Sequence, residues 1–165
     1  MHVEIFVGDI TKVKTTAIVN AANKSLLKGS GVCGAIFNAA GSDMLKAECA
    51  KLGPIETGEA VFTSGFNLPA KYIIHTVGPI FDENKKEESE KLLGNAYTNS
   101  MRIALSLKCE SIAFPLISSG IYGYPVKDAF NVAVNSIEKF LESKDSNMKA
   151  YIVLYNEDIK VQCLN

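Results

Sequence analysis

Residues 111–141 read SIAFPLISSGIYGYPVKDAFNVAVNSIEKFL, and this stretch decides the fold class. Ser111–Phe114 is a short apolar run closed by Pro115, as expected of a buried strand. Further on, Val126, Phe130, Ala133, Val134, Ile137 and Leu141 recur at three-and-four spacing, which predicts one face of a helix. Pro125 suits the first turn of that helix, where a missing N–H has no intrahelical partner to lose. Between the two lies Ser118–Gly123, a loop of mostly small residues. A buried strand that runs through such a loop into an amphipathic helix is the building unit of an α/β fold.

The same alternation extends in both directions. Strands are predicted at Val3–Val7, Ala17–Val19, Glu59–Thr63, Tyr72–Val77 and Ala150–Leu154. Leu93, Ala96, Tyr97, Met101, Ala104 and Leu107 mark a second helix. A helical stretch from Val32 to Leu52 breaks near Gly41-Ser42-Asp43, where Ser42 suits the start of a new helix. Strands alternating with helices predict a three-layer α/β/α sandwich around a mostly parallel, mixed sheet of about six strands. In such sheets ligands bind beyond the carboxyl ends of the strands.

The length of 165 residues suits one domain spanning 1–165. A net charge of −1 gives no support to a broad phosphate-backbone surface, so nucleic acid is an unexpected partner. The N-terminus, Met1-His2-Val3-Glu4-Ile5-Phe6-Val7, lacks a basic region and a long apolar core, so no signal peptide is expected. No apolar run reaches membrane-spanning length. Cys33, Cys49, Cys109 and Cys163 lie too far apart for a metal knuckle, so structural zinc is not expected; an unexported chain keeps them reduced, and the cytoplasm is the expected location. The charge run from Asp82 to Lys91 reads as a solvated loop leading into a helix.

Two loops carry the functional signal. The first is Asn20-Ala21-Ala22-Asn23 followed by Gly29-Ser30-Gly31-Val32-Cys33-Gly34. Glycines allow a phosphate close to the backbone, and the helix that follows offers unpaired N–H groups. Gly29, Gly31 and Gly34 match a dinucleotide glycine pattern in spacing. Their context is wrong for it, because the nine residues Asn20–Lys28 separate them from the strand. The second loop is Ser118–Gly123. Two such loops in one domain suit the two sides of a diphosphate. At about 1.5–3 kcal/mol for each charge-assisted bond, a few of them support micromolar binding without Lys or Arg.

In combination these segments resemble the macrodomain family. The matching residues are Gly8-Asp9-Ile10-Thr11, Asn20-Ala21-Ala22-Asn23, Gly29–Gly34 with Ala35-Ile36, His75-Thr76-Val77-Gly78-Pro79, Phe114-Pro115 and Ser118–Pro125. The likeness covers nearly the whole chain in order. It leans toward bacterial stand-alone O-acetyl-ADP-ribose deacetylases and mono-ADP-ribosyl hydrolases.

The resemblance implies ADP-ribose, free or on a protein, as the ligand, with no cofactor and no metal. It places Asp9 on the adenine amino group with Ile10 beside it, and Tyr155 stacked on adenine with Asn156 at the same edge. Asn23 would bond the distal ribose hydroxyls, with Asn20 and Ala22 in the same segment. Gly31, Val32, Ser118, Ser119, Gly120, Ile121 and Tyr122 would surround the diphosphate and distal ribose. His75, inside an apolar strand, reads as structural.

Two positions depart from the hydrolase pattern, which has Asp in place of Cys33 and His in place of Phe37. That aspartate is held to orient or activate water. Cysteine thiols ordinarily ionise near pH 8.5, and a diphosphate nearby disfavours the thiolate, so Cys33 is expected to be a poor catalytic base. Phe37 is expected only to pack. Three functions follow: an ADP-ribosyl hydrolase or O-acetyl-ADP-ribose deacetylase with Asn23 and Cys33 as candidate catalytic residues, a non-catalytic ADP-ribose reader, and an RNA-associated regulator. Asn23, the two loops and the lack of a second domain to recruit favour the first.

Overall fold

The computed structural model describes residues 1–165. Its strands are β1 (Glu4–Val7), β2 (Ala17–Ala21), β3 (Ala60–Ser64), β4 (Tyr72–Thr76), β5 (Ser111–Phe114) and β6 (Lys149–Leu154). Its helices are α1 (Gly31–Ala40), α2 (Ser42–Ala50), α3 (Lys86–Ser106), α4 (Val126–Ser143) and α5 (Glu157–Leu164). The strands form one sheet in the order β1-β6-β5-β2-β4-β3. Every neighbouring pair is parallel except β3 with β4. This is the mixed three-layer sandwich that the alternating sequence predicts.

Both faces of the sheet are covered, which is why strands such as Tyr72–Thr76 are apolar rather than alternating. On one face α1 and α2 bury Cys33, Ile36, Phe37, Leu45 and Cys49 against Ile18 and Ile73. On the other, Leu93, Tyr97 and Met101 of α3, Phe130 and Ile137 of α4 and Cys163 of α5 pack on Val19, Ile74 and Ile152. No helix is long and apolar enough to cross a membrane.

Local details differ from expectation at four places. The break between α1 and α2 is made by Gly41, whose φ of 109° is closed to L side chains, and Ser42 makes no capping bond. Pro125 stands just before α4 rather than inside its first turn, and its carbonyl accepts from Ala129 at 2.8 Å. Helix α5 carries only a weak apolar stripe and was not expected; Asn156 starts it by accepting from the Ile159 N–H at 2.9 Å. Of the Asp82–Lys91 run, expected as a solvated loop, only Asp82–Lys85 is an exposed turn, capped by Asp82 on Asn84; Lys86–Lys91 already form the first turns of α3, with Ser89 buried.

The sheet opens at one point. β2 pairs with β4 over Ala17–Ala21 but with β5 only at Ala17–Ile112 and Ile18–Ala113. Beyond Ile18 the two strands part. The chain leaving β2 then turns to the α1/α2 face, while the chain leaving β5 turns to α4 on the opposite face. That parting of connections from adjacent strands is a topological switch point, where open α/β sheets form a crevice.

Candidate ligand crevice

The loops after β1, β6, β5 and β2 line up along the carboxyl edge of the sheet in spatial order. They bring Asp9 and Ile10 to one end, then Tyr155, then Ser118–Tyr122, then Asn23 and Gly31. The sheet order thus spreads the sequence-derived candidates into an elongated row rather than a compact cluster.

At the outer end Asp9 Oδ1 accepts from the Thr11 hydroxyl at 2.7 Å and the Thr11 N–H at 3.0 Å. Those bonds, the hydroxyl first, hold its carboxyl below the usual aspartate range, so it stays an acceptor at neutral pH. Ile10 is buried, and Tyr155 is 81% exposed, a surface-standing ring without core neighbours to hold it there.

In the middle, Ser118 adopts a φ of 69° and its hydroxyl donates to the Pro79 carbonyl at 2.7 Å. Gly78 allows this approach: a Cβ there would lie 2.2 Å from Ser118 Oγ and 2.5 Å from Ile117 Cγ2. The loop closes on itself through Gly123 N to Gly120 O at 3.0 Å and Tyr124 N to Ser118 O at 2.9 Å. Tyr97 anchors it from below. Its hydroxyl donates to the Pro115 carbonyl at 3.2 Å and accepts from the Ile117 N–H at 3.0 Å. Complete burial pushes the Tyr97 phenol well up, so it is always a neutral donor. Sequence reading places Tyr97 on an apolar helix stripe and gives no sign of this anchoring, because its partners lie in another element.

At the inner end the first loop is held by its own amides. Asn23 Oδ1 accepts from the Leu27 N–H at 3.1 Å and its Nδ2 donates to the Leu27 carbonyl at 2.8 Å. An asparagine amide has two donor hydrogens and two acceptor lone pairs, so one of each remains for a ligand. Cys33 is buried, with its thiol donating to the same Leu27 carbonyl at 3.6 Å. Gly34 lets α1 approach the loop, since a Cβ there would stand 2.5 Å from the Gly29 carbonyl oxygen. Asn20 is not at the surface of the crevice: it is 1% exposed, with Nδ2 turned onto His75 Nδ1 at 3.1 Å. Ala22 is buried as well, its N–H donating to the Thr76 carbonyl at 2.8 Å. Phe37 packs in the core beside Ile36.

The two inner loops share one property. The N–H groups of Gly31, Val32 and Cys33, at the start of α1, donate to no acceptor in the protein, and neither do those of Ser119, Gly120, Ile121 and Tyr122. Unpaired donors at a helix N-terminus and in a turn form anion-binding concavities. The space over them is open: a Cβ added at Gly31 or Gly120 would meet nothing within 4 Å. No cluster of His, Cys, Asp or Glu side chains is arranged to ligate a metal.

A three-layer α/β/α module with two donor-lined loops facing across a switch point defines a class, a domain built to seat an elongated anion along its sheet edge. The Macro domain family model matches residues 19–133, and the chain belongs to that family. It is 49% identical over 157 residues to a Macro domain-containing protein of Methanosarcina mazei, covering 95% of this chain and 83% of that one. It is 46% identical to the O-acetyl-ADP-ribose deacetylase of Citrobacter rodentium, covering 95% and 90% of the two. Among solved structures, the Oceanobacillus iheyensis macrodomain with ADP superposes with a TM-score of 0.89 at 44% identity, covering 96% of this chain and 86% of that one.

Proposed function

We propose that this domain binds ADP-ribose and hydrolyses its ester to a carboxylic acid, either an acidic protein side chain or the acetate of O-acetyl-ADP-ribose. The supporting observation is the pair of donor-lined loops, Gly31–Cys33 and Ser119–Tyr122, flanking the gap between β2 and β5. In this reading those N–H groups take the diphosphate, Asp9 and Tyr155 take the adenine, and Asn23 turns its free acceptor to a distal ribose hydroxyl and its free donor to the attacking water. The names of the related proteins, one with ADP bound and one a deacetylase, fit the same ligand.

Hydrolysis adds water across the ester and releases ADP-ribose and the free acid. No carboxylate stands at the Cys33 position to take the water's proton, and the Cys33 thiol is spent as a donor to Leu27. The proton therefore passes to a phosphate oxygen of the substrate, with Asn23 orienting the water. Lacking a general base costs about 10²–10⁴-fold in rate, while positioning and backbone dipoles continue to contribute. The domain is thus a slow hydrolase.

Cys33 and Phe37 favour a second reading. With Cys33 bonded into the loop and Phe37 in the core, the domain also fits a reader that binds ADP-ribose without turnover. Single-turnover release of ADP-ribose from a glutamate-linked mono-ADP-ribosyl peptide, followed by mass spectrometry, separates the two. Release that collapses in Asn23→Ala supports the hydrolase. Calorimetric binding of ADP-ribose, without release from the peptide or from O-acetyl-ADP-ribose, supports the reader. Absence of binding removes both.

A further inference from the structure

A chain of buried polar groups runs beneath the first loop. The parallel register sets Asn20 of β2 beside His75 of β4, and both side chains are withdrawn from solvent. His75 Nδ1 lies 3.1 Å from Asn20 Nδ2, and His75 Nε2 lies 3.0 Å from Thr63 Oγ1, with Cys49 Sγ at 3.9 Å. Asn20 Nδ2 also approaches Cys33 Sγ at 3.8 Å.

One placement of the Thr63 proton gives this chain a single direction. Thr63 has one hydroxyl proton and donates it to the Ser64 carbonyl at 3.0 Å. With the proton placed there, its oxygen accepts from His75 and Nε2 carries the ring proton. Complete burial holds the ring neutral, with its pKa lowered to about 4. In a neutral ring the other nitrogen is bare, so Nδ1 accepts and Asn20 must present its N–H side. That orientation leaves Asn20 Oδ1 without a partner in the protein, a cost the amide carries for meeting a bare Nδ1.

We propose that His75 is a positioning residue: anchored on Thr63, its bare Nδ1 fixes the Asn20 amide so that the second Asn20 N–H meets the Cys33 sulfur and sets the first loop. Cys33 passes that constraint on, because its thiol and the Asn23 amide share the Leu27 carbonyl. The link to ADP-ribose affinity rests on the function proposed above; the hydrogen-bond chain does not.

The test compares wild type, His75→Phe and His75→Gln by iodoacetamide alkylation of the folded protein, with each cysteine quantified by mass spectrometry. In His75→Phe the Cys33 rate should change about fivefold or more, because thiol reactivity follows its hydrogen bonds and charge environment. Cys109 and Cys163, which lie in the core on the opposite face of the sheet, should hold their rates. His75→Gln, which keeps a donor and an acceptor, should restore Cys33 toward wild type. A uniform change at all cysteines, or none at Cys33, would overturn the proposal. If His75→Phe does not fold, Asn20→Ser provides the same comparison. Nitrogen NMR of the wild-type ring gives a further readout: a protonated Nδ1 at neutral pH overturns the assignment. By calorimetry, His75→Phe should bind ADP-ribose about tenfold more weakly than wild type, as expected for loss of a preorganised loop; equal affinity overturns the positioning role. A wild type that binds no ADP-ribose sinks the proposed function instead, while the cysteine rates still decide the role of His75.

Discussion

Asn23 and Cys33 meet on one acceptor: the Leu27 carbonyl takes Asn23 Nδ2–H at 2.8 Å and the Cys33 thiol at 3.6 Å. A carbonyl oxygen has two lone pairs, so the two donors complete it rather than compete. The thiol is therefore part of the scaffold that holds Asn23, which explains how a poor base fits at this position. The first loop is built to keep its asparagine still.

That relationship predicts opposite outcomes for two substitutions at Cys33. Cys33→Ser keeps a donor for Leu27 and should leave the melting temperature nearly unchanged. Cys33→Asp introduces a carboxylate that cannot donate to Leu27 but can take a proton from water. It should lose about 1 kcal/mol, or roughly 2–4 °C in melting temperature for a chain of this size. Under the hydrolase reading its single-turnover rate should rise by about 10²-fold, the lower end of what a general base contributes. Scanning calorimetry and single-turnover assays check the two arms. A Cys33→Asp variant that melts lower without gaining rate would mean that water is not held near this position.

How far the sequence alone reveals this site depends on where each residue finds its partners. The strands follow from short β-branched runs, and Val126–Leu141 from its spacing, because those signals are local. The two loops were legible for the same reason, as small residues between a strand and a helix. The inward turn of Asn20 was not. β2 is covered on both faces, so its sequence carries no alternation to show which way Asn20 points, and its partner His75 is 55 residues distant. Tyr97 likewise looks like any core aromatic until Pro115 and Ile117 are placed above it. Asn156, expected beside adenine, spends its Oδ1 on capping α5, a helix too weakly patterned to anticipate.

Acid should destabilise the fold through His75 before it reaches the carboxylates. The ring titrates at 6.5 when exposed and about 4 when folded. Between those values the unfolded chain binds a proton that the folded chain does not. Stability is thus fully present above pH 6.5 and is lost as the pH falls toward 4, on the order of 3 kcal/mol in total. Glu138 acts in a lower window. Burial raises its pKa, but bonds from the Val3 and His2 N–H groups and the His2 ring more than offset this, so its contribution fades only below its unfolded value of 4.5. Melting curves from pH 7 to 4.5 should slope downward in wild type and flatten in His75→Gln. An unchanged slope in the variant would mean that another group titrates there.

Tyr97→Phe tests the anchor of the second loop. The ring volume stays, so the core remains filled, while the Ile117 N–H and the Pro115 carbonyl lose their partner inside the protein. A buried group left unpaired costs about 1–3 kcal/mol. The melting temperature should fall by several degrees. Because Ser118–Tyr122 continues directly from that anchored backbone, ADP-ribose affinity should also weaken severalfold by calorimetry. A drop in stability with unchanged affinity would show that the Ser118 bond to Pro79 suffices to hold the loop.

The outer end of the crevice separates ligand recognition from folding most cleanly. Asp9 spends Oδ1 on Thr11, which leaves Oδ2 as a charged acceptor in the loop after β1, and the loop after the neighbouring β6 carries the exposed Tyr155. If adenine lies there, its exocyclic amine donates to that oxygen in a charge-assisted bond worth about 1.5–3 kcal/mol, so Asp9→Ala should weaken ADP-ribose binding roughly tenfold or more. Some of that loss comes from the broken turn, and Thr11→Val isolates it by removing one cap bond while keeping the carboxylate. Ribose 5-phosphate, which has no adenine, supplies the second control: its affinity should be the same in wild type and Asp9→Ala. Equal losses for both ligands would mean that Asp9 only shapes the turn, and adenine recognition would then rest on Tyr155 and the Ile10 backbone.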